Sequence, residues 1–129
     1  MDTRFLIVDD EQSILFAMGE YFGTLGYKVD CANDLATAKA LLSAAEYPLI
    51  IADLRLGGSD NQDGLDVVAC AHQQYPKTRI VLLTAYGSPA LTAEAQTRGA
   101  DVVLNKPTSL PTLARIVTEL LGNTARTSA

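Results

Sequence analysis

The stretch "RFLIVDDEQS", residues 4–13, sets three acids directly behind an unbroken apolar run. Phe5, Leu6, Ile7 and Val8 show no alternation of apolar and polar positions, so they read as a short strand buried on both faces. Asp9, Asp10 and Glu11 then crowd like charges at its end. Two unit charges about 4 Å apart repel by about 1 kcal/mol in water and by about 4 kcal/mol at a protein-like effective dielectric. A strand that ends this way needs a cation beside it.

Four more apolar runs follow the first: Tyr27–Cys31, Leu49–Ala52, Ile80–Leu83 and Val102–Leu104. As a set they are short, rich in Val, Ile and Leu, and show little alternation, as expected for strands of a parallel sheet covered on both faces. Helical spacing fills the intervals, with Ile14, Met18, Phe22 and Leu25 in the first and Leu35, Ala38, Leu41, Leu42 and Ala45 in the second. The last helix is the clearest. Leu113, Ile116, Val117, Leu120 and Leu121 keep one face, Ser109 is placed to cap it, Pro111 falls in its first turn and Gly122 is expected to end it. Five repeats of strand then helix predict a doubly wound α/β domain with right-handed crossovers.

Length and composition agree with one such domain. The 129 residues are 48% hydrophobic and 19% charged, and no apolar run is long enough to span a membrane. The formal net charge is −5, with Lys and Arg scattered rather than gathered in a stripe, so direct nucleic-acid contact is not expected. The N-terminus lacks the pattern of a signal peptide, and a cytoplasmic location is expected. Cys31 and Cys70 have neither disulfide nor metal-ligand spacing and read as reduced thiols of the core.

In open α/β sheets, ligands bind outside the carboxyl ends of the strands. Asp9 and Asp10 stand at the end of the first strand, and "LIIADL" (49–54) leads into Asp53. "RIVLLTAY" (79–86) leads into Thr84, and "DVVLNKP" (101–107) into Lys106 and Pro107. Three carboxylates, a hydroxyl and an ammonium group are thereby directed to one edge. Hard oxygen ligands of this kind suit Mg²⁺, which completes its shell with water and phosphate oxygens. Aspartate carboxylates can form acyl phosphates, so Asp53, central in the set, is the candidate nucleophile of a phosphoryl transfer. Lys106 and Thr84 are then the groups to hold the phosphate.

The ordered set "VDDE", "ADL", "LTA" and "NKP" resembles the receiver domains of two-component response regulators, over residues 4 to about 121. That resemblance implies a flavodoxin-like (βα)5 sandwich with strand order 2-1-3-4-5. It places the receiver domain at residues 1–122, with 123–129 as a flexible tail or the start of a linker. It implies that Asp53 accepts a phosphoryl group from a sensor histidine kinase or a histidine phosphotransfer protein, and that the domain catalyses only its own phosphorylation and dephosphorylation. Mg²⁺ or Mn²⁺ would be held by Asp10 and Asp53 directly, by Asp9 mainly through water, and by the backbone carbonyl of Arg55. Thr84 and Lys106 would bind the phosphate, with the Lys106–Pro107 peptide cis. The face of the fourth helix, fifth strand and fifth helix would then switch, toward a downstream protein, an output domain or a second copy of the chain.

Some positions depart from the family pattern. Val103 stands where Tyr or Phe is common, Thr108 where Phe is frequent, and Gly57 where Pro is usual. The loop "LRLGGSDNQDGLD" (54–66) is about three residues longer than the common form and, with its glycines, is expected to be flexible and to alter access to the acyl phosphate. Tyr86 and Arg55 are placed to border the phosphate. These departures suggest a rival, a receiver-like interaction module that works without phosphorylation. A phosphatase acting on other molecules would need a general acid two residues after the nucleophile, where this chain has Arg55. "DNQDG" (60–64) fails as a calcium loop because Cys70 falls where the bidentate Glu belongs. His72 reads as a surface or packed histidine, and no phosphate-binding glycine loop is present.

Overall fold

The computed structural model describes residues 3–57 and 62–128. Its elements run β1 (Arg4–Val8), α1 (Gln12–Thr24), β2 (Lys28–Ala32), α2 (Leu35–Ala44), β3 (Leu49–Asp53) and α3 (Asp63–Gln74). They continue with β4 (Arg79–Thr84), α4 (Pro89–Arg98), β5 (Val102–Asn105) and α5 (Leu110–Ser128). The five strands form one sheet in the order β2-β1-β3-β4-β5, and every pair is parallel. This is the flavodoxin-like order expected from the sequence.

The lack of alternation in the central strands has a direct cause. Phe5 and Ile7 of β1, Leu49 and Ile51 of β3, and Val81 and Leu83 of β4 pack with Leu15, Met18 and Phe22 of α1 and with Leu113 and Val117 of α5. Their sequence neighbours Leu6, Val8, Ile50, Ala52, Ile80 and Leu82 point the other way, into a second core closed by α2, α3 and Ala95 of α4. Each strand residue is thus apolar because each face has its own cover. Phe5, Phe22 and Tyr27 form an aromatic cluster beneath α1, with Phe5 and Tyr27 stacked at 4.4 Å between centroids.

Edge strands differ. In β2 the outer positions are exposed or half-buried, and Cys31, expected as a core thiol, is exposed there. Cys70, on α3, is half-buried and packs against the core. The helix starts follow local chemistry: Asp34 accepts from Thr37 N at 2.7 Å, Ser88 accepts from Leu91 N at 3.1 Å ahead of Pro89, and Ser109 accepts from Thr112 N at 3.2 Å. The expected stop at Gly122 is corrected, since α5 continues through it to Ser128. Gly122 does not take the positive φ of a glycine cap, and a helical glycine costs only about 1 kcal/mol relative to Ala. Most of the expected 123–129 tail is therefore helical, and Ala129 lies outside the described residues. So does the centre of the long loop, residues 58–61, on which the expectation of flexibility rested.

The amino-terminal edge of the sheet is tied by polar contacts. Tyr47 is buried and donates to Asp30 Oδ2 at 2.7 Å, while Arg4 binds Asp30 Oδ1 at 2.9 Å. Thr78 Oγ1 donates to the Tyr47 carbonyl, and Asp101 accepts from Ile80 N and from Arg79.

Candidate functional site

At the opposite edge, the strands deliver acidic residues and a lysine to one point. Asp9 follows β1 and is only 2% exposed; its Oδ1 accepts the Glu11 N–H at 2.9 Å, which fixes its carboxylate at the entrance of α1. Asp10 is exposed. Asp53, the last residue of β3, is 8% exposed. Lys106, just beyond β5, places Nζ 2.9 Å from Asp53 Oδ1 and 3.6 Å from Asp9 Oδ2. Asp9, Asp10 and Asp53 each offer a carboxylate oxygen within 4.8 Å of the other two. Asp10, Asp53, Arg55 and Lys106 line a cleft of about 240 Å³.

Backbone contacts hold this geometry. Leu54 N donates to Leu83 O at 2.8 Å, and Lys106 N to Thr84 O at 2.8 Å, so the ends of β3, β4 and β5 are locked in sequence. Gly64, in the first turn of α3, donates its N–H to Leu54 O at 2.8 Å. A Cβ at position 64 would fall on the backbone of Asp53 and Leu54, so only glycine lets α3 start this close to the site.

Burial pushes the carboxyl groups of Asp53 and Asp9 above the usual carboxylate range. Lys106 opposes that shift at Asp53, and the Glu11 N–H and Lys106 oppose it at Asp9, without cancelling it. Burial works against the Lys106 ammonium, yet its contacts with Asp53 and Asp9 outweigh this and hold its pKa above the ordinary lysine value. One ammonium facing three carboxylates leaves net negative charge in a partly desolvated cleft. An all-oxygen donor set of that charge fits a hard divalent cation.

The sequence-derived residues are not all gathered equally. Asp9, Asp10, Asp53 and Lys106 converge, and Lys106–Pro107 is cis. Arg55 lines the cleft, with its guanidinium 5.6 Å from the centre of the Tyr86 ring, and Tyr86 itself is 76% exposed. Thr84 is buried at the end of β4 and does not line the cleft; its Oγ1 accepts the Tyr86 N–H at 3.3 Å. One contributor was missed in the sequence, the Glu11 N–H that orients Asp9. Outside the cleft, Asn105 Oδ1 accepts the Gly87 N–H at 3.1 Å, a contact with no local signal in the sequence.

A family model for the response regulator receiver domain matches residues 5–118. The chain belongs to the response regulator receiver domains. This receiver is 35% identical over 106 residues to the photosynthetic apparatus regulatory protein RegA of Rhodovulum sulfidophilum, covering 82% of this chain and 56% of RegA. It is 40% identical over 115 residues to the alginate biosynthesis transcriptional regulatory protein AlgB of Pseudomonas putida, covering 89% of this chain and 25% of AlgB. The receiver thus spans about half of one curated relative and a quarter of the other. Among solved structures it is similar to a response regulator from Burkholderia pseudomallei that carries a phosphorylated aspartic acid, a calcium ion and citrate. The TM-score is 0.81 at 31% identity, covering 98% of this chain and 71% of that one. Among the described residues of this receiver, no helix is long and apolar enough to cross a membrane.

Proposed function

We propose that this receiver accepts a phosphoryl group on Asp53 from a sensor histidine kinase or a histidine phosphotransfer protein, and relays that state through the face formed by α4, β5 and α5. The observation that carries the reading is the pairing of a buried Asp53 with Lys106 at 2.9 Å, beside two more carboxylates. In the transfer, an Asp53 oxygen forms the new P–O bond while the P–N bond of the donor phosphohistidine breaks and its electron pair stays on the imidazole. Hydrolysis reverses the modification: water takes the phosphorus, and the Asp53 carboxylate and inorganic phosphate return.

Asp10 and Asp53, with the Arg55 carbonyl and Asp9 through water, would hold Mg²⁺ or Mn²⁺. The ion supplies positive charge that neutralises both the carboxylates and the transferring phosphoryl oxygens. Lys106 then moves from a carboxylate counter-ion to a partner of the phosphoryl oxygens, and the Thr84 hydroxyl donates to one of them. Arg55, stacked on Tyr86 at the mouth of the cleft, is placed to limit how water reaches the acyl phosphate. The output face meets a downstream protein, an output domain or a second receiver.

Intact mass after incubation with acetyl phosphate tests the reading. The expected result is a gain of about 80 Da that requires Mg²⁺ and disappears in Asp53→Asn. No gain, together with no stable binding of beryllium fluoride, would favour an interaction module that works without phosphate.

A further inference from the structure

β4 and β5 end side by side, with Thr84 and Asn105 as register partners. The chain then passes from β4 into α4 through residues 85–88, and two consecutive amides of that segment are caught by this cross-strand pair. Tyr86 N–H donates to Thr84 Oγ1 at 3.3 Å, and Gly87 N–H to Asn105 Oδ1 at 3.1 Å. Gly87 is wedged between the two side chains. A Cβ there would fall on Asn105 Oδ1 and stand 3.3 Å from Thr84 Cγ2. The Asn105 carbonyl is in turn held by Thr108 Oγ1 at 2.8 Å.

Packing at this end of α4 is limited: Leu91 is half-buried against the core that also takes Val103, and Ala95 is the one buried residue of the helix. An open groove of about 470 Å³ runs between α4 and β5 beside Val103.

We propose that Asn105 is a positioning residue that ties the start of α4 to the end of β5. Displacements of Thr84 and Lys106 toward a phosphoryl group on Asp53 then reach α4 through the Gly87 amide. This rests on the phosphoacceptor reading of Asp53. The connection is short: Asn105 is covalently next to Lys106, so consecutive Cα atoms are about 3.8 Å apart and a shift of one carries the other.

The test compares ¹⁵N-labelled wild type, Asn105→Ala and Asn105→Asp, the last of which keeps an acceptor oxygen. Asn105 is exposed, so the fold tolerates either change. Expected is Gly87 amide exchange about tenfold faster in the Ala variant and near wild type in the Asp variant. With acetyl phosphate and Mg²⁺, all three gain one phosphoryl group. The α4 amide shifts that accompany this gain are kept in wild type and Asn105→Asp and fall by about half or more in Asn105→Ala. Equal Gly87 exchange in wild type and Asn105→Ala overturns the tie. A full α4 response in phosphorylated Asn105→Ala overturns the transmission. If wild type takes no phosphoryl group while Gly87 is still released by Asn105→Ala, the phosphoacceptor reading fails and the tie is static, which overturns the transmission for a separate and recognisable reason.

Discussion

Among the described residues Lys106 is the one cation bonded to Asp53, and its ammonium is partly shielded from water. Replacing it by Met leaves buried carboxylates facing one another with no compensation. Lys106→Met is expected to lose about 1–2 kcal/mol near neutral pH, less than a fully buried pair because the lysine is partly exposed. The sign with pH follows from the upward shifts of Asp9 and Asp53. Their charged forms penalise the folded state above the raised pKa values, and protonation lifts that penalty as pH falls through them. Urea unfolding in a chelator, at neutral and mildly acid pH, should show the gap between variant and wild type closing in acid. Tyr47 gives an alkaline counterpart. Burial first, and then its bond to Asp30, push its phenol from 10.0 up to about 12, so over that interval the unfolded state holds fewer protons and stability falls as pH rises. The full effect is on the order of 2–3 kcal/mol. Tyr47→Phe should flatten the alkaline fall in urea midpoints, after an initial loss of about 1 kcal/mol for the missing hydrogen bond. Single residues were also where sequence reading was least secure. Asp53, Lys106 and Thr84 stood out alike because strand ends collect them, and in the structure the Thr84 hydroxyl oxygen also accepts the loop amide of Tyr86. Nothing in the local sequence around Asn105 distinguishes a side chain that reaches Gly87, 18 residues away, from one that points into water.

Among the elements, α3 constrains the site most directly. Its first turn approaches β3 so closely that Gly64 has no room for a side chain. Gly64→Ala must push α3 outward or displace the backbone of Asp53 and Leu54. The expected outcome is a loss of about 1–3 kcal/mol in urea unfolding, with slower phosphoryl uptake from acetyl phosphate by intact mass. The strands were readable as elements because both their faces are covered, which removes polar residues from the central three. The same rule failed at β2, whose run Tyr27–Cys31 carries Lys28 and Asp30 and where Cys31 lies at the sheet edge and is exposed. Edge status depends on strand order, and the residues of a single strand do not encode its neighbours. The end of α5 failed for a related reason: a glycine stops a helix only when the chain turns there, and at Gly122 it does not.

For the whole molecule, divalent cations should act as ligands of the folded state alone, because the three carboxylates come together only in the folded sheet. Saturating Mg²⁺, at about 100 times its dissociation constant, is expected to add about 2.7 kcal/mol. For a domain of this size that raises Tm by roughly 10 °C in a thermal scan, with the gain reduced in Asp10→Asn and abolished by chelation. The converging strand ends were legible from the motifs, and strand order was implied only by the family resemblance they carry. The size of the cleft and the groove beside α4 were not legible, because they depend on how helices settle against the sheet. The route by which Lys106 reaches Asp53 has a consequence for biosynthesis. Asp9 follows β1, Asp53 ends β3 and Lys106 lies in the turn after β5, so the lysine arrives only once the last strand has docked on β4. A chain still being translated, or clipped ahead of β5, carries Asp53 without its counter-ion. On the proposed phosphoacceptor role of Asp53, phosphoryl uptake thereby waits for complete folding, and a partly assembled receiver takes up none.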